Sequence, residues 1–251
     1  HGLRYAAKDA EQLGAFLAAP DGGAFDHVQV ITQPALTTRR QVLSALESLE
    51  RINTSKNDTV LLYFSGHGTL GRDETGSMRR YIVTRDTDEQ RISQTAINVQ
   101  TLLATFNRLS SRRKVAILAF CHSGRGKSAL SPLMKAELSR TKGSFFAEPM
   151  AIVSEASLIL SACAWGETAR EDDRLGHDIY TYFFLLALKN KYDLDGDGAV
   201  TSSEAHDYAR HQTYRFTGGL QRPSAVSDIL GTDPIVLAGR RMRNGRALLM
   251  S

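Results

Sequence analysis

The sequence predicts an α/β domain with a mainly parallel sheet and helices on both faces. Three runs, at residues 59–65, 114–120 and 157–162, have the length and continuous apolar character of buried strands. Segments with apolar residues at helical spacing lie between and beside these runs. Strands that alternate with helices favour a parallel sheet that is covered on both faces.

The individual elements follow from local patterns in chain order. Helices are predicted at residues 6–17, 38–52, 99–109, 179–192 and 202–216. Strands are predicted at residues 27–32, 59–65, 79–84, 114–120 and 157–162, with the second of them ending at Gly66. No internal repeat or domain linker interrupts this order, so we expect a single domain over residues 1–251.

The composition excludes several classes of function. Hydrophobic residues make up 42% and charged residues 23% of the chain, which is ordinary for a globular protein. The net charge of +4 is spread out, and no basic run is interleaved with aromatic residues, so we expect no nucleic-acid partner. The apolar runs are too short to span a membrane. Two cysteines form no disulfide framework, which favours a cytoplasmic location.

Two predicted strands end in residues that are suited to nucleophilic catalysis. Ser65-Gly66-His67-Gly68 follows one strand, and Cys121-His122-Ser123-Gly124 follows another. In parallel sheets, ligands bind beyond the carboxyl ends of the strands, so both motifs are expected at one site. A thiol nucleophile needs a base nearby. His67 precedes Cys121 by 54 residues, close to the spacing of about 50 in caspases. We therefore predict that Cys121 is a nucleophile with His67 as its base.

A remote alternative arises from the glycines around His67. Residues 66–71 fit the pattern G-x-G-x-x-G after a strand, which would indicate a dinucleotide-binding enzyme. That fingerprint must open a helix. The residues that follow have no apolar periodicity and include another glycine, so the pattern is disfavoured.

The motifs together resemble those of a known family. YFSGHG (63–68) and FCHSG (120–124) are similar to the His and Cys motifs of metacaspases and bacterial caspase-like peptidases. Residues 3–13, 161–172, 176–188 and 220–239 resemble further segments of that family in the same order. The resemblance implies a caspase-haemoglobinase-like three-layer sandwich and a cysteine peptidase that acts on proteins or peptides. It also implies that Gly68 and Cys121 donate backbone N–H groups to the oxyanion.

The resemblance also implies a substrate pocket for the residue before the scissile bond (P1). The family positions of this acidic pocket fall on Asp9, Ser65 and Ala119, and the alanine replaces an aspartate. A later acidic pair of the family falls on Trp165 and Gly166. We expect a basic P1 residue, with compensation from an acid among the group Glu167, Glu171, Asp172 and Asp173.

The resemblance divides the domain into parts. Residues 1–124 resemble a large subunit and residues 150–251 a small subunit, with a mobile linker at 125–149 that is a candidate for self-cleavage after its basic residues. Caspase-like folds begin with a central strand ahead of the first helix. We expect that strand to precede residue 1, because a sheet without it exposes two edges. A fused or partner effector domain is also expected.

Residues 193–204 match the calcium-binding loop of an EF-hand, D-x-[DN]-x-[DN]-G-x5-E, at every position. The ligands would come from six residues: Asp193, Asp195, Asp197, Ala199, Thr201 and Glu204. The thiol chemistry itself requires no cofactor. Because this loop predicts calcium binding, the alternative to an active peptidase is a catalytically silent caspase-like scaffold that responds to calcium.

Overall fold

A computed structural model of the chain describes residues 3–51, 55–121, 157–164, 169–228, 234–239 and 245–251. These residues contain six helices: α1 (Ala6–Ala18), α2 (Arg39–Arg51), α3 (Ile92–Thr95), α4 (Val99–Asn107), α5 (Ile179–Lys189) and α6 (Ser202–Phe216). A short 3₁₀ turn, Pro34–Leu36, precedes α2.

The described strands are β1 (His27–Ile31), β2 (Thr59–Arg72), β3 (Met78–Val83), β4 (Ile97–Asn98), β5 (Arg113–Cys121), β6 (Ser157–Ser161), β7 (Glu171–Asp172), β8 (His177–Asp178), β9 (Ala199–Thr201), β10 (Ser224–Asp228), β11 (Val236–Gly239) and β12 (Gly245–Met250). The main sheet runs in the order β1-β12-β2-β5-β6-β10, with β3 and β4 attached to β2. Its first five strands are parallel, and β10 is an antiparallel edge.

Helices cover both faces of this sheet. Along β2 and β5, alternate residues point to opposite faces, as the period of a strand requires. Tyr63 and Ile117 belong to the core under α1, α5 and α6. Leu62 and Leu118 belong to the core under α2 and α4. The predicted fold class, a three-layer sandwich with a mainly parallel sheet, is confirmed.

The place that we expected a strand ahead of residue 1 to fill is occupied by β12. This strand lies between β1 and β2 and is parallel to both. Ala247 and Leu249 enter one core, and Leu248 and Met250 enter the other. Among the described residues, the sheet is therefore continuous from β1 to β2.

The strand at the His motif is longer than predicted. β2 does not end at Gly66 but continues to Arg72, because residues 67–72 pair with β3 in an antiparallel hairpin. Residues 66–71 are therefore extended and open no helix, which contradicts the dinucleotide-binding alternative.

Two small two-stranded sheets complete the described fold. β7 and β8 pair just before α5. β9, which directly precedes α6, pairs with β11, which follows α6. Neither pair was predicted, because strands of two to four residues leave no periodic signal.

Candidate active site

His67 and Cys121 are brought side by side by the register of two parallel strands. β2 and β5 pair from Thr59 and Arg113 up to His67 and Cys121, which are the last partners of the ladder. Neighbouring strands lie about 4.8 Å apart. The backbones of the two predicted catalytic residues are thus adjacent at the carboxyl end of the sheet, where ligands bind in such folds.

The opposite edge of β2 carries a different neighbour at this point. His67 pairs with Val83 of β3, and Gly68 pairs with Ile82. The histidine therefore lies between β5 on one side and β3 on the other. Gly68 is buried and lies one residue beyond the last partner of β5.

Local packing explains the glycine that precedes His67. A Cβ atom on Gly66 would approach the Phe64 ring to 2.8 Å, closer than side-chain carbons normally come. The same ring meets Phe120 edge-to-face, with ring centroids 5.8 Å apart. The two aromatic rings pack beneath the ends of β2 and β5 and support the strands that carry the site.

The His67 side chain is half-buried. Burial lowers its pKa, and the nearby charge of Glu171 acts in the opposite direction. A neutral imidazole is the form that accepts a proton from a thiol.

Asp9 is fully buried and tightly bonded. Its carboxylate accepts a hydrogen bond from the Asp178 backbone N–H at 2.9 Å and pairs with His177 Nδ1. Burial raises the pKa of Asp9, and the bonds to His177 and Asp178 partly offset this effect. In the described conformation, this carboxylate faces a histidine of the protein and not solvent.

Asp178 is also buried and caps α5 by accepting the Thr181 N–H at 2.9 Å. Its pKa is raised to about 7, chiefly by burial and further by the charge of Asp9. The interior beside α1 therefore holds two carboxylates and one histidine close together. The sequence analysis missed Asp178, although its position directly before an apolar helix is typical of an N-cap.

The other two candidate pocket residues lie on the ladder beneath the dyad. Ser65 and Ala119 are register partners, and both are buried. Tyr63 Oη lies 3.1 Å from Thr181 Oγ1 and has Ser65 as a second hydrogen-bond partner. Asp9 contributes to the electrostatic environment of the same hydroxyl. Asp9, Ser65 and Ala119 thus surround one buried region below the strand ends.

Glu171, another acid proposed for the pocket, contributes to the electrostatic environments of His67, Asp9 and Asp178. Its carboxylate accepts the backbone N–H groups of Arg4 and Tyr5 at 2.9–3.1 Å and so holds the segment that leads into α1. Asp173 pairs with Arg4, and Asp172 pairs with Arg174. Glu167, Trp165, Gly166 and the linker 125–149 lie outside the described residues.

The predicted calcium loop is ordered by its own hydrogen bonds. Oxygen atoms of Asp193, Asp195 and Asp197 lie within 4.8 Å of one another. The Asp193 carboxylate accepts backbone N–H groups from three loop residues. Glu204 forms a capping box with Thr201 and also accepts the Leu194 N–H, so its carboxylate does not join the three aspartates.

The second cysteine of the chain, Cys163, is buried, and its Sγ lies 3.7 Å from the Phe120 carbonyl oxygen. Among the described residues, no helix combines the length and apolar character needed to cross a membrane.

Comparison with known proteins identifies a family and similar solved structures. A family model described as the caspase domain matches residues 1–231. The chain is also similar to the solved structure of protein GSU0716 from Geobacter sulfurreducens, with a TM-score of 0.59 and 15% sequence identity. That similarity covers 92% of this chain and 89% of the other, and at this identity it shows a common fold alone. No curated protein matches the chain.

Proposed function

The chain belongs to the caspase domain family of cysteine peptidases, and we propose that it hydrolyses peptide bonds with Cys121 as nucleophile and His67 as general base and acid. The observation that carries this proposal is the pairing of His67 with Cys121 as the last partners of two parallel strands. Both residues stand at the carboxyl end of the parallel ladder between β2 and β5, where a peptide can reach both of them.

The reaction uses these residues in two steps. His67 accepts the Cys121 proton, and the thiolate attacks the carbonyl carbon of the scissile bond. His67 then gives that proton to the leaving amine, the C–N bond breaks, and the acyl group stays on sulfur. Water, deprotonated by His67, attacks the thioester and releases the acid and the free thiol. We assign the backbone N–H groups of Gly68 and Cys121 to the oxyanion that forms in each step.

We further propose that the enzyme cleaves after a basic residue. Asp9 and Glu171 support this, since the charge of Asp9 acts on the Tyr63 hydroxyl and the charge of Glu171 acts on His67. Because Ala119 brings no charge, the site holds a guanidinium with fewer carboxylates than the related pocket of metacaspases. An Arg substrate must also displace His177 from Asp9, or bind Glu171 instead.

The linker offers substrates of this kind within the chain. If the P1 residue is basic, self-cleavage is expected after a linker residue among Arg125, Lys127, Lys135, Arg140 and Lys142. Mass spectrometry of the wild-type protein and of Cys121→Ala after incubation tests this directly. Fragments that appear equally in both samples would point to a contaminating protease.

We propose that the loop 193–204 binds calcium. Oxygen donors from Asp193, Asp195 and Asp197 suit a hard cation. Glu204 would complete the site after leaving its capping box. The ion would hold the start of α6, which packs in the same core as Tyr63 and Ala119.

A peptidyl-arginine chloromethyl ketone tests the peptidase proposal. We expect it to label the wild-type protein and Cys163→Ala, but not Cys121→Ala, with labelling slowed at least about 10³-fold in His67→Ala. The buried Cys163 makes a matched control for the thiol. Equal labelling of wild type and Cys121→Ala would reject the enzyme and favour the silent scaffold.

A further inference from the structure

A cavity of about 290 Å³ lies beside His67, where two strands meet end to end along the same edge of β2. β12 pairs with β2 as far as Phe64, and β3 begins to pair at His67. Ser65 and Gly66 therefore lie between the ends of the two strands. Successive residues of a strand turn their N–H and C=O groups to alternate edges, so one of these two residues presents both groups to the gap.

The cavity is lined largely by apolar side chains that come from different elements. Leu3 and Ala7 border it at the start of α1, Val42 belongs to α2, and Val83 ends β3. Thr37, Thr84 and Ser251 add hydroxyl groups to the lining, and Arg85 adds a guanidinium. A small, mainly apolar cavity with a backbone N–H and C=O facing its edge is suited to one apolar side chain of an extended peptide.

The order of the strands fixes which part of a substrate can reach this cavity. Cys121 lies on β5, on one side of β2, and the cavity lies on the other side, next to the ends of β12 and β3. His67 therefore stands between the nucleophile and the cavity. In the proposed reaction, His67 delivers its proton to the leaving amine, so the leaving half of the substrate lies on the histidine side.

We propose that this cavity binds the side chain of the first residue after the scissile bond, P1′, and selects an apolar side chain of the size of Leu or Met. The inference rests on the proposed peptidase function. It adds a second specificity site on the side of His67 away from Cys121, and Ser65 borders both this cavity and the acidic region beneath the dyad.

Internally quenched peptides with arginine before the scissile bond test the proposal. They differ only at P1′, which is Gly, Ala, Leu, Met or Asp. We expect the wild-type kcat/KM for Leu or Met to exceed that for Gly by about tenfold or more. Ala7→Leu narrows the cavity and should reduce this ratio to below about threefold. Ala15→Leu makes the same change at an exposed position of the same helix and should leave the ratio unchanged.

Two further measurements separate the possible failures. If the chloromethyl ketone does not label wild-type Cys121, the peptidase proposal itself fails. If labelling occurs but the P1′ series is flat, or if Ala7→Leu and Ala15→Leu behave alike, the cavity is not the P1′ site. Should Ala7→Leu unfold, Leu3→Ala enlarges the same cavity and should shift the preference from Leu towards Phe. An unchanged preference in this variant would also overturn the proposal.

Discussion

His67 and Cys121 are the last register partners of β2 and β5, and the pairing of β2 changes on its other edge at the same residue. The backbone of His67 is thereby held by a strand on each side. This double pairing limits backbone motion at His67. This arrangement leads to predictions for the histidine, for the buried charges below it and for the strand that completes the sheet.

The His67 side chain should titrate below the ordinary range of histidine, because burial disfavours the imidazolium. The measurement is an NMR titration of the His67 ring in Cys121→Ala, where the thiol cannot couple to the ring. A His67 pKa at or above the ordinary histidine value of 6.5 would contradict the buried environment.

Replacing His177 with Ala should destabilise the fold, since it leaves the fully buried Asp9 without its side-chain partner. Loss of one member of a buried pair lowers the free energy of unfolding by about 3 kcal/mol. Urea unfolding at pH 7 measures this change. His211→Ala is the matched control and should shift the value by less than about 0.5 kcal/mol. If both variants lose a similar free energy of unfolding, the Asp9–His177 pair contributes nothing to stability.

Asp178→Asn should change how stability depends on pH. The folded-state pKa of about 7 lies above the ordinary value of 3.8, so the native state binds more protons than the unfolded state between these pH values. The contribution of Asp178 is therefore fully present below pH 4 and is lost as the pH rises through 7. Asparagine keeps an oxygen for the α5 cap and carries no charge.

The wild-type protein and Asp178→Asn should accordingly have similar free energies of unfolding near pH 4. At pH 8, Asp178→Asn should be the more stable protein, by at most about 4 kcal/mol. Urea unfolding at both pH values gives the difference. A difference in unfolding free energy that does not vary with pH would show that Asp178 ionises normally.

Leu248→Ala should test whether β12 forms part of the sheet. Leu248 is fully buried between β1 and β2, and truncation of such a side chain lowers the unfolding free energy by about 2–5 kcal/mol. Leu220→Ala is the control, because Leu220 is 59% exposed and should tolerate the change. If the two variants unfold at the same urea concentration, β12 does not occupy this position.

Calcium should raise the thermal unfolding temperature of the wild-type protein, because binding to the native state alone stabilises it. Asp195→Asn removes one exposed carboxylate of the loop. This variant should need at least about tenfold more calcium for the same rise in unfolding temperature. Asp207→Asn removes an exposed carboxylate on α6, outside the loop, and should leave the calcium response intact. Equal responses in both variants would exclude binding at residues 193–204.

The sequence analysis was most accurate where a long apolar pattern exists. The helix predicted at 202–216 matches α6, and the helices at 6–17 and 38–52 agree with α1 and α2 within a residue or two. Their amphipathic spacing follows from the two cores that they cover. The strands of β7–β8 and β9–β11 are too short to leave a periodic signal, and the partners in β9–β11 are also distant in the sequence.

The features of the candidate site that the sequence did not reveal have the same origin. The continuation of β2 beyond Gly66 depends on pairing with β3, and a glycine-rich segment carries little strand signal of its own. The sequence analysis also assigned Asp9 to a substrate pocket without seeing that His177 is its partner across the fold. Glu171 was one of several possible acids, and its proximity to His67 emerges only when β7 is placed beside α1.

The position of β12 has a consequence for the timing of activity. Arg246 pairs with His27, 219 residues earlier in the chain, and Gly245 pairs with Thr59. Contacts between residues so far apart in the sequence form slowly, because a long loop must close before these contacts can stabilise the sheet. On the ribosome, β2, which carries His67, lacks its neighbour β12 until residues 245–250 have been synthesised. A nascent chain should therefore stay without proteolytic activity until its synthesis has passed this strand.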